Sequence, residues 1–500
     1  MTKGRRYATA TVLAALVASP VVAVCLIASA PAARAQTGGV DQTPVMGWSS
    51  WSFLRLGVNT ANVEAEAHAL VTSGLASVGY KYINIDDNWY QCPGSQGPNV
   101  DRYGRWVINN SEFPSVGSEN GIQSVADYVH RLGLKFGIYE TAGISDQAVS
   151  DNTAVLGTSY TASDIAAATP QANYNCGGMV DLNYSSPGAR AYVDSIVNEL
   201  ASWGVDYVKL DGITNSNVPD IQAWSAAIKQ SGRPMVLDTT QGGFDLNIAP
   251  ALKQYSNQWE FARDIESNGP GYGGGSSVFP LTSYSHWRDR FDDVAAWKPY
   301  GGPGGFNDYD SIEVGNGPTN SGMSLAAEKS QLSLWALGSA PLILGSDLTS
   351  AVTNGYGSSS GLNPTDLSLL KNKKVIEVDR DSIDASRISD VGTAQVFGKV
   401  ERNGSGIVGL FDTNTNLTAA NNTISTTASA IGLPNDSRGY KVQELWTGKR
   451  SRITSDGRIT ASVPSEGVAL YRVTPLTHRR SGVPRRHSNS DLRGIRPGGP

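Results

Sequence analysis

The chain has 500 residues, of which 40% are hydrophobic and 17% are charged, and its formal net charge is −5. This length predicts two or three domains, each able to bury a sizeable core. The acidic balance excludes the strong basic field on which nucleic-acid binding depends, so we expect no nucleic-acid partner. The remaining composition is that of an ordinary globular protein.

The N-terminus has the pattern of a secretory signal peptide. Three basic residues within the first six precede a mostly apolar run over residues 8–30, and Ala-Arg-Ala at 33–35 forms a small-x-small cleavage site. We therefore expect residues 1–35 to be removed and the mature protein to be secreted, without a membrane partner. A retained transmembrane anchor is the alternative.

The mature part of the chain keeps two cysteines, Cys92 and Cys176. An even number of cysteines in an exported protein favours a disulfide, which would stabilise the fold by roughly 4–5 kcal/mol through loop-closure entropy. Two free buried thiols are the alternative. The sequence has no paired C-x-x-C and no H-E-x-x-H, so it predicts neither a metal site nor a cofactor.

Short apolar strands alternate with helical patterns between residues 44 and 375. The clearest helix places apolar side chains at i, i+3, i+4 and i+7 over residues 193–200, and Gly204 is positioned to end it. Eight strands with helical crossovers predict a (β/α)₈ TIM barrel over residues 36–380. The eight strand-like runs are residues 44–51, 82–89, 135–141, 207–212, 235–240, 259–264, 305–310 and 341–347.

The character of the sequence changes after residue 385. β-type runs such as "TAQVFGKV", "YKVQELWTGK" and "GVALYRV" are separated by Asn, Gly and Ser turns, without a convincing helix. We predict a C-terminal antiparallel β-sandwich over residues 385–475. The last 25 residues hold six Arg against one Asp, so residues 476–500 are predicted to form a disordered basic tail.

Carboxylates accumulate where the predicted strands end, and active sites of this barrel fold lie at those ends. In "YVKLDG" the side chains alternate between two faces, so Tyr207, Lys209 and Asp211 point the same way. A neighbouring ammonium would favour the ionised form of Asp211, which a nucleophile requires, and a simple barrel salt bridge is the alternative. The other strand-end carboxylates are Asp86, Asp87, Asp238, Asp264, Asp308, Asp310 and Asp347.

Seven segments, taken together and in order, resemble the α-galactosidase family of retaining glycosidases, glycoside hydrolase family 27. They cover roughly residues 42–380, and "ELWTGK" and "GVALYRV" resemble the β-domain of that family. The resemblance implies a barrel followed by a β-sandwich, and a glycosidase with a carbohydrate substrate. The segments are "TPVMGWSSW", "YKYINIDDNWY", "ADYVHRLGLKFGIYETAG", "LASWGVDYVKLDG", "WEFARDIE", "GGFNDYD" and "EKSQLSLWALGSAPLILGSDL".

The resemblance implies that Asp211 of "KLDG" is the nucleophile and that Asp264 of "ARDIE" is the general acid/base. In the implied double displacement, Asp211 attacks the anomeric carbon while Asp264 protonates the leaving oxygen. Asp264 then activates water, and the sugar is released with retained configuration. The two carboxyls need different environments, one ionised and one protonated. The sequence identifies no group that keeps Asp264 protonated.

The same resemblance implies a sugar-binding pocket around this pair. Its carboxylates accept hydrogen bonds from sugar hydroxyls, and Trp51 forms an aromatic wall, with core packing as the alternative role of this ring. Asp308 is expected to be structural. The implied substrate-binding residues are Trp51, Asp86, Asp87, Tyr139, Lys209 and Asp310.

The chain departs from the family pattern where substrate choice is made. "LDTTQGG" replaces a Cys-Glu-Trp-like turn, "GIYETAG" replaces a Ser/Ala-Asp arrangement, and Asn88 stands in place of a cysteine. Glu260 stands where an arginine usually precedes the acid/base by four residues, with Arg263 adjacent to Asp264 instead. We expect an α-galactosidase that releases terminal α-D-galactose. The alternatives are an isomalto-dextranase acting on α-1,6-glucan, a β-L-arabinopyranosidase, or a non-catalytic carbohydrate-binding protein.

Overall fold

The computed structural model describes residues 39–240, 243–266, 280–349 and 361–476, together with the backbone of residues 353–354 and 357–358. The predicted signal peptide and residues 477–500 of the predicted basic tail lie outside these ranges, as do residues 241–242 of the "LDTTQGG" turn. Within the described part of the chain, no helix is both long enough and apolar enough to cross a membrane.

Eight parallel strands form the first domain, and each pairs with the next strand along the chain up to the seventh. The first strand also pairs with the eighth, and a parallel bridge from Ile312 to Leu344 joins the seventh and eighth segments. The predicted (β/α)₈ barrel is therefore confirmed. The strands are β1 Met46–Ser49, β2 Tyr82–Ile85, β3 Lys135–Thr141, β4 Tyr207–Asp211, β5 Val236–Thr240, β6 Gln258–Glu260, β7 Phe306–Asp308 and β8 Leu342–Leu344.

The barrel strands alternate with helices whose buried faces cover the outside of the sheet. The helix Pro187–Ser202 begins with proline, whose fixed φ suits the first helical turn. It ends before Gly204, which adopts a left-handed φ of 83°. The helices are Thr60–Thr72, Gly121–Arg131, Asp146–Ser150, Ala162–Ile165, Pro187–Ser202, Val218–Ser231, Ala249–Tyr255, Tyr284–Trp287, Arg290–Trp297, Pro318–Ser321, Leu325–Leu337, Pro364–Leu370 and Lys373–Asp379.

The alternation predicted for "YVKLDG" is present in β4. Val208 and Leu210 are fully buried in the large apolar cluster that includes the inner faces of the helices. Side chains of the opposite face point into the barrel, so Lys209 and Asp211 follow Tyr207 toward the C-terminal ends of the strands. Tyr207 belongs to a small apolar cluster near the other end of the barrel, with Val45, Tyr82, Val236 and Ile343.

The connection between β3 and β4 contains a small antiparallel sheet that the sequence analysis did not predict. Its three strands are Ile144–Ser145, Ala166–Gln171 and Met179–Leu182, and the last of them lies in the middle. These strands are short and carry no regular alternation, so they offered no sequence signal. The sheet supports the loop of residues 172–178, which lies beside the strand-end carboxylates.

The second domain is the predicted antiparallel β-sandwich. Its larger sheet has the strand order β9-β10-β11-β16-β13-β14, and β12 pairs with β15 in the smaller sheet. Apolar side chains between the two sheets, such as Val408, Ile424 and Val463, form its core. The strands are β9 Ser386–Val391, β10 Ala394–Val400, β11 Gly406–Asp412, β12 Asn422–Thr427, β13 Tyr440–Glu444, β14 Arg450–Ile453, β15 Arg458–Val463 and β16 Val468–Pro475.

The other face of the larger sheet packs against the helix Leu325–Leu337 of the barrel. The indole N–H of Trp446 donates to Ser333 Oγ at 3.1 Å across this contact. Lys399 is buried and its Nζ lies 2.8 Å from Asp381 Oδ1. Lys399 of the sandwich and Asp381 at the end of the barrel domain therefore form an ion pair across the contact between the two domains.

Candidate active site

Asp211 lies at the C-terminal end of β4 and is held by two donors. Its Oδ1 accepts hydrogen bonds from the Gly212 N–H at 2.6 Å and from the Thr240 hydroxyl at 2.9 Å. Burial raises the pKa of Asp211 above its ordinary value, while Lys209 and the two donors act in the opposite direction. These three groups favour the ionised carboxylate, which is the form able to attack an electrophilic carbon.

Lys209 forms its ion pair with Asp86 rather than with its strand neighbour Asp211. Its Nζ lies 2.8 Å from Asp86 Oδ2, and the Asp86 N–H donates to Ser50 Oγ at 2.9 Å. Lys209 nevertheless lowers the pKa of Asp211, which is the effect expected of a neighbouring ammonium on the same face of the strand. Burial opposes the charge of Lys209, but Asp86, Asp211 and Glu260 raise the pKa of this ammonium well above its ordinary value.

Asp87 is fixed by the loop that follows β2. Its Oδ1 accepts from the Tyr90 hydroxyl at 2.6 Å and from the Asn88 N–H at 2.7 Å. The Tyr90 hydroxyl also lies 3.1 Å from Asn173 Oδ1, which connects Asp87 to the loop 172–178. Burial raises the pKa of Asp87 to about 7, and the hydrogen bonds from Tyr90 and Asn88 oppose this shift.

Asp264 lies in a cluster of three carboxyls at the ends of β6 and β7. Carboxylate oxygens of Glu260, Asp264 and Asp310 lie within 4.8 Å of one another. Burial, followed by the charge of Asp310, raises the pKa of Asp264 to about 6, and Lys209 opposes this. Burial and the neighbouring carboxylates therefore keep Asp264 protonated under mildly acidic conditions, which the sequence had left unexplained.

Asp310 links the two segments that carry these carboxyls. Its Oδ2 accepts the Ile265 N–H at 2.7 Å, and its backbone carbonyl accepts the Trp335 indole N–H at 2.8 Å. Asp310 has a φ of 78°, an uncommon conformation for a residue with a side chain. Asp308 Oδ1 accepts the Asp310 N–H at 2.8 Å and so supports this turn. The strand β6 ends at Glu260, so Asp264 lies in a loop whose position depends on Asp310.

Two aromatic rings named by the sequence lie at different depths. Trp51 follows β1 and is half-buried, and the guanidinium of Arg55 stacks 4.5 Å from its ring centroid. Arg55 is only 3% exposed, so this cation fixes the indole from beneath. Tyr139 is fully buried in β3, directly opposite Lys209 in the strand register. Trp51 therefore keeps an open part of its ring, whereas Tyr139 is enclosed by the surrounding side chains.

Cys92 and Cys176 form a disulfide bond, as predicted, with Cα atoms 5.5 Å apart. The bond joins the loop after β2, which carries Asp87, to the loop 172–178. Gln171, at the start of that loop, donates to the Gly212 carbonyl at 2.8 Å. Two segments far apart in the sequence are therefore attached to the residues around Asp211.

Three residues that support the site were not predicted from the sequence. Thr240 ends β5 and donates to Asp211, and a search of all strand ends for hydroxyls could have found it. Arg55 and Asn173 had no such signal, because their contacts with Trp51 and Tyr90 depend on loop packing. Asp347, one of the predicted strand-end carboxylates, is fully buried. It lies near Glu66, and burial, followed by the charge of Asp347, raises the pKa of Glu66 well above its ordinary value.

The two domains match family descriptions in the same order. Residues 43–175 and 171–381 match a family described as alpha galactosidase A, and residues 391–473 match the alpha galactosidase C-terminal beta sandwich domain. The chain belongs to the α-galactosidase family, glycoside hydrolase family 27. This family 27 protein is a glycoside hydrolase.

Relatives of this family 27 hydrolase match it over most of its length. The α-galactosidase of Oryza sativa subsp. japonica is 32% identical over 448 residues, which cover 88% of this chain and 87% of the rice protein. The alpha-N-acetylgalactosaminidase of Gallus gallus is 26% identical over 87% of this chain and 95% of the chicken protein. The family therefore includes relatives with different sugar preferences.

A solved structure adds a third activity. The GH27 β-L-arabinopyranosidase of Geobacillus stearothermophilus superposes with a TM-score of 0.75 at 25% identity, over 88% of this chain and 98% of that chain. The α-galactosidase I of Mortierella vinacea, also 25% identical, superposes with a TM-score of 0.64, over 87% of this chain and 98% of that chain. The shared fold thus serves more than one glycone within the family.

Proposed function

We propose that this family 27 hydrolase is a secreted, retaining α-galactosidase that releases terminal α-D-galactose. The observation that carries the proposal is the contrast between Asp211 and Asp264. Burial raises the pKa of both carboxyls, but Lys209 and two hydrogen-bond donors oppose the rise for Asp211, whereas Asp310 adds to it for Asp264, whose pKa reaches about 6. One carboxyl is suited to attack and the other to proton donation.

The first step forms a glycosyl-enzyme ester. Asp211 attacks the anomeric carbon, and we assign the attack to Oδ2, because the two hydrogen bonds from Gly212 and Thr240 fall on Oδ1. The glycosidic C–O bond breaks, and the proton of Asp264 goes to the departing oxygen. In the second step Asp264 takes a proton from water, the water oxygen attacks the anomeric carbon, and the ester to Asp211 breaks.

Sugar hydroxyls would be bound by the charged groups between β2 and β4. Asp86 and Lys209 offer an acceptor and a donor 2.8 Å apart, so adjacent hydroxyls can bridge them. Asp87 is already oriented through its Oδ1 by Tyr90. Trp51 would cover one face of the ring, since pyranose rings present apolar C–H faces to aromatic side chains.

Secretion is supported by two independent features. Residues 1–35 have the basic, apolar and small-x-small parts of a signal peptide. The Cys92–Cys176 disulfide fits an oxidising compartment, where such bonds persist. Detection of the mature chain beginning at Gln36 in culture medium would test this part of the proposal.

A β-L-arabinopyranosidase is the second candidate, favoured by the high TM-score to the Geobacillus stearothermophilus enzyme. Glu260 bears on this choice, because it is 5% exposed and sits where family α-galactosidases usually carry arginine. A carboxyl at this position changes the hydrogen bonds available to the glycone. An isomalto-dextranase uses the same catalytic pair and remains a third outcome of the test.

The test is hydrolysis of p-nitrophenyl α-galactoside, p-nitrophenyl β-L-arabinopyranoside and dextran by the purified mature protein. The Asp211→Asn variant is the control, because it removes the nucleophile at nearly constant volume. The proposal is supported if p-nitrophenyl α-galactoside has the highest kcat/KM of the three substrates. A higher kcat/KM for the arabinopyranoside would identify a β-L-arabinopyranosidase instead, and release of isomaltose from dextran would identify an isomalto-dextranase. Inactivity on all three supports a carbohydrate-binding protein.

A further inference from the structure

Tyr174 is a large aromatic side chain left exposed beside the catalytic groups. It lies in the loop 172–178 between two strands of the small antiparallel sheet, and 60% of its surface is exposed. Its ring stacks on no aromatic side chain and meets no cation among the residues that the structure describes. Exposed tyrosines on loops are common, so exposure alone does not indicate a binding role for Tyr174. The position of its loop and the contacts that hold that loop are the relevant observations.

The loop that carries Tyr174 is fastened on both sides of the ring. Before it, the Gln171 side chain donates to the Gly212 carbonyl at 2.8 Å, and Asn173 Oδ1 lies 3.1 Å from the Tyr90 hydroxyl. After it, Cys176 is bonded to Cys92, and the Cys176 N–H donates to Asn173 at 3.0 Å. The backbone on both sides of Tyr174 is held in this way, so a ligand that stacks on the ring does not have to order the loop.

The attachment points place the loop that carries Tyr174 beside the nucleophile. Gly212 directly follows Asp211, and a Cβ built on Gly212 would lie 3.1 Å from the Ala172 Cβ, so the loop rests on the nucleophile's own turn. Partial burial raises the pKa of Tyr174, and the next largest contributions come from the charges of Asp211 and Asp264. The loop that carries Tyr174 therefore contacts the turn that follows Asp211, while 60% of the Tyr174 surface remains open to solvent.

We propose that Tyr174 is an aromatic platform for the leaving group, on the far side of the scissile bond from the released sugar. This inference rests on the proposed glycosidase mechanism. Tyr139 is fully buried, so its ring offers no open face, whereas Tyr174 is 60% exposed and can stack on a group that projects from the site. The platform selects leaving groups with a flat apolar face, either an aryl group or the C–H face of a second pyranose.

The experiment compares two substrates that share a glycone and differ in the leaving group. p-Nitrophenyl α-galactoside offers a ring to stack, and α-galactosyl fluoride does not. Tyr174→Ala is expected to lower kcat/KM for the nitrophenyl substrate about 10-fold, and the loss on the fluoride should be at least about fivefold smaller. Tyr174→Phe keeps the ring and should stay within about twofold of the wild type on both substrates.

A matched control is Leu417→Ala, which removes a 62% exposed side chain on the sandwich domain. This variant should change kcat/KM for either substrate by no more than about twofold, which measures the effect of truncating an exposed side chain away from the site. Equal losses on the nitrophenyl substrate and the fluoride in Tyr174→Ala would overturn the platform, because the ring would then support the glycone pocket. No loss on either substrate would overturn it as well.

A second measurement separates this inference from the proposed function. The Asp211→Asn variant is titrated with melibiose, isomaltotriose and p-nitrophenyl β-L-arabinopyranoside, with tryptophan fluorescence as the signal. Adding Tyr174→Ala to this variant should raise the Kd about 10-fold for whichever of these ligands binds. Unchanged affinity, or no binding of any of the three, would overturn the platform. If the wild type is inactive on galactosides but Tyr174→Ala still weakens binding of another of these ligands about 10-fold, only the galactose assignment is overturned.

Discussion

Lys209 Nζ and Asp86 Oδ2 lie 2.8 Å apart inside the barrel, and this pair connects β4 to the end of β2. The ammonium serves several carboxylates at once, because it lowers the pKa of Asp211, Asp264 and Glu260 while bonding to Asp86. Lys209 therefore opposes the rise in pKa that burial causes in these three carboxyls. The predictions below follow from that arrangement.

Lys209→Met should destabilise the protein and move the acid limb of activity. Asp86 would keep its buried position without its cation, at a cost of about 3 kcal/mol. Because Lys209 lowers the pKa of Asp211, its removal should shift the acid limb of kcat/KM to higher pH. The pH profile and the melting temperature measure both effects. Lys209→Arg, which keeps the charge, is the control, and an acid limb unchanged in Lys209→Met would refute the electrostatic role.

The wild-type activity should be bell-shaped against pH, with an acidic optimum. Asp264 must be protonated for the first step, and burial and Asp310 raise its pKa from 3.8 to about 6, so kcat/KM should fall as pH rises through about 6. On the acid side, activity should fall as Asp211 becomes protonated. Because burial raises the pKa of Asp211, this fall should begin at a higher pH than for an ordinary aspartate. Initial rates between pH 3 and 9 measure both limbs, and a flat profile from pH 5 to 8 would contradict the assignment.

Stability should be greater at pH 5 than at pH 8. Burial raises the pKa of Asp87 and Asp384 to about 7 and that of Glu313 to about 8. A carboxyl whose folded pKa exceeds its unfolded value stabilises the fold fully below the unfolded pKa, and this contribution is lost as pH rises through the folded pKa. Melting temperatures at pH 5, 6.5 and 8 should therefore decline by about 5 °C or more across this window. An increase would contradict the burial effect.

Asp211→Asn should abolish turnover without unfolding the protein. The amide is nearly isosteric, and it removes a buried carboxyl whose pKa is raised, so the melting temperature should be equal or higher. The fall in kcat should be on the order of 10⁴ or more, as for other removed nucleophiles. Near-normal activity in a folded variant would remove Asp211 from the nucleophile role.

Asp264→Asn should affect substrates according to their leaving groups. Without proton donation, alkyl or sugar leaving groups should suffer at least about 100-fold, while nitrophenyl substrates, which leave readily as the phenolate, should form the ester more nearly normally. Added azide should then accelerate the second step, because it needs no general base. Equal losses for all leaving groups, with no effect of azide, would count against the acid/base role.

Local patterns in the chain were sufficient for the two domains, but not for the small antiparallel sheet between β3 and β4. Periodicity predicted the barrel and the sandwich, because a buried strand or helix face must carry apolar side chains at fixed intervals. The alternation of Val208 and Leu210 with Lys209 and Asp211 appears in β4 as predicted. Turn glycines such as Gly204 also marked their own positions, since a left-handed φ favours glycine.

The partners of the charged groups were decided by the tertiary structure alone. The strand pattern placed Lys209 beside Asp211, but the nearest carboxylate oxygen belongs to Asp86, 123 residues away in the sequence. The raised pKa of Asp264 depends on burial and on Asp310, and the position of Tyr174 depends on a sheet with no periodic signal. Hydrogen bonds and desolvation act over a few ångströms between segments distant in sequence, so only the folded chain determines them.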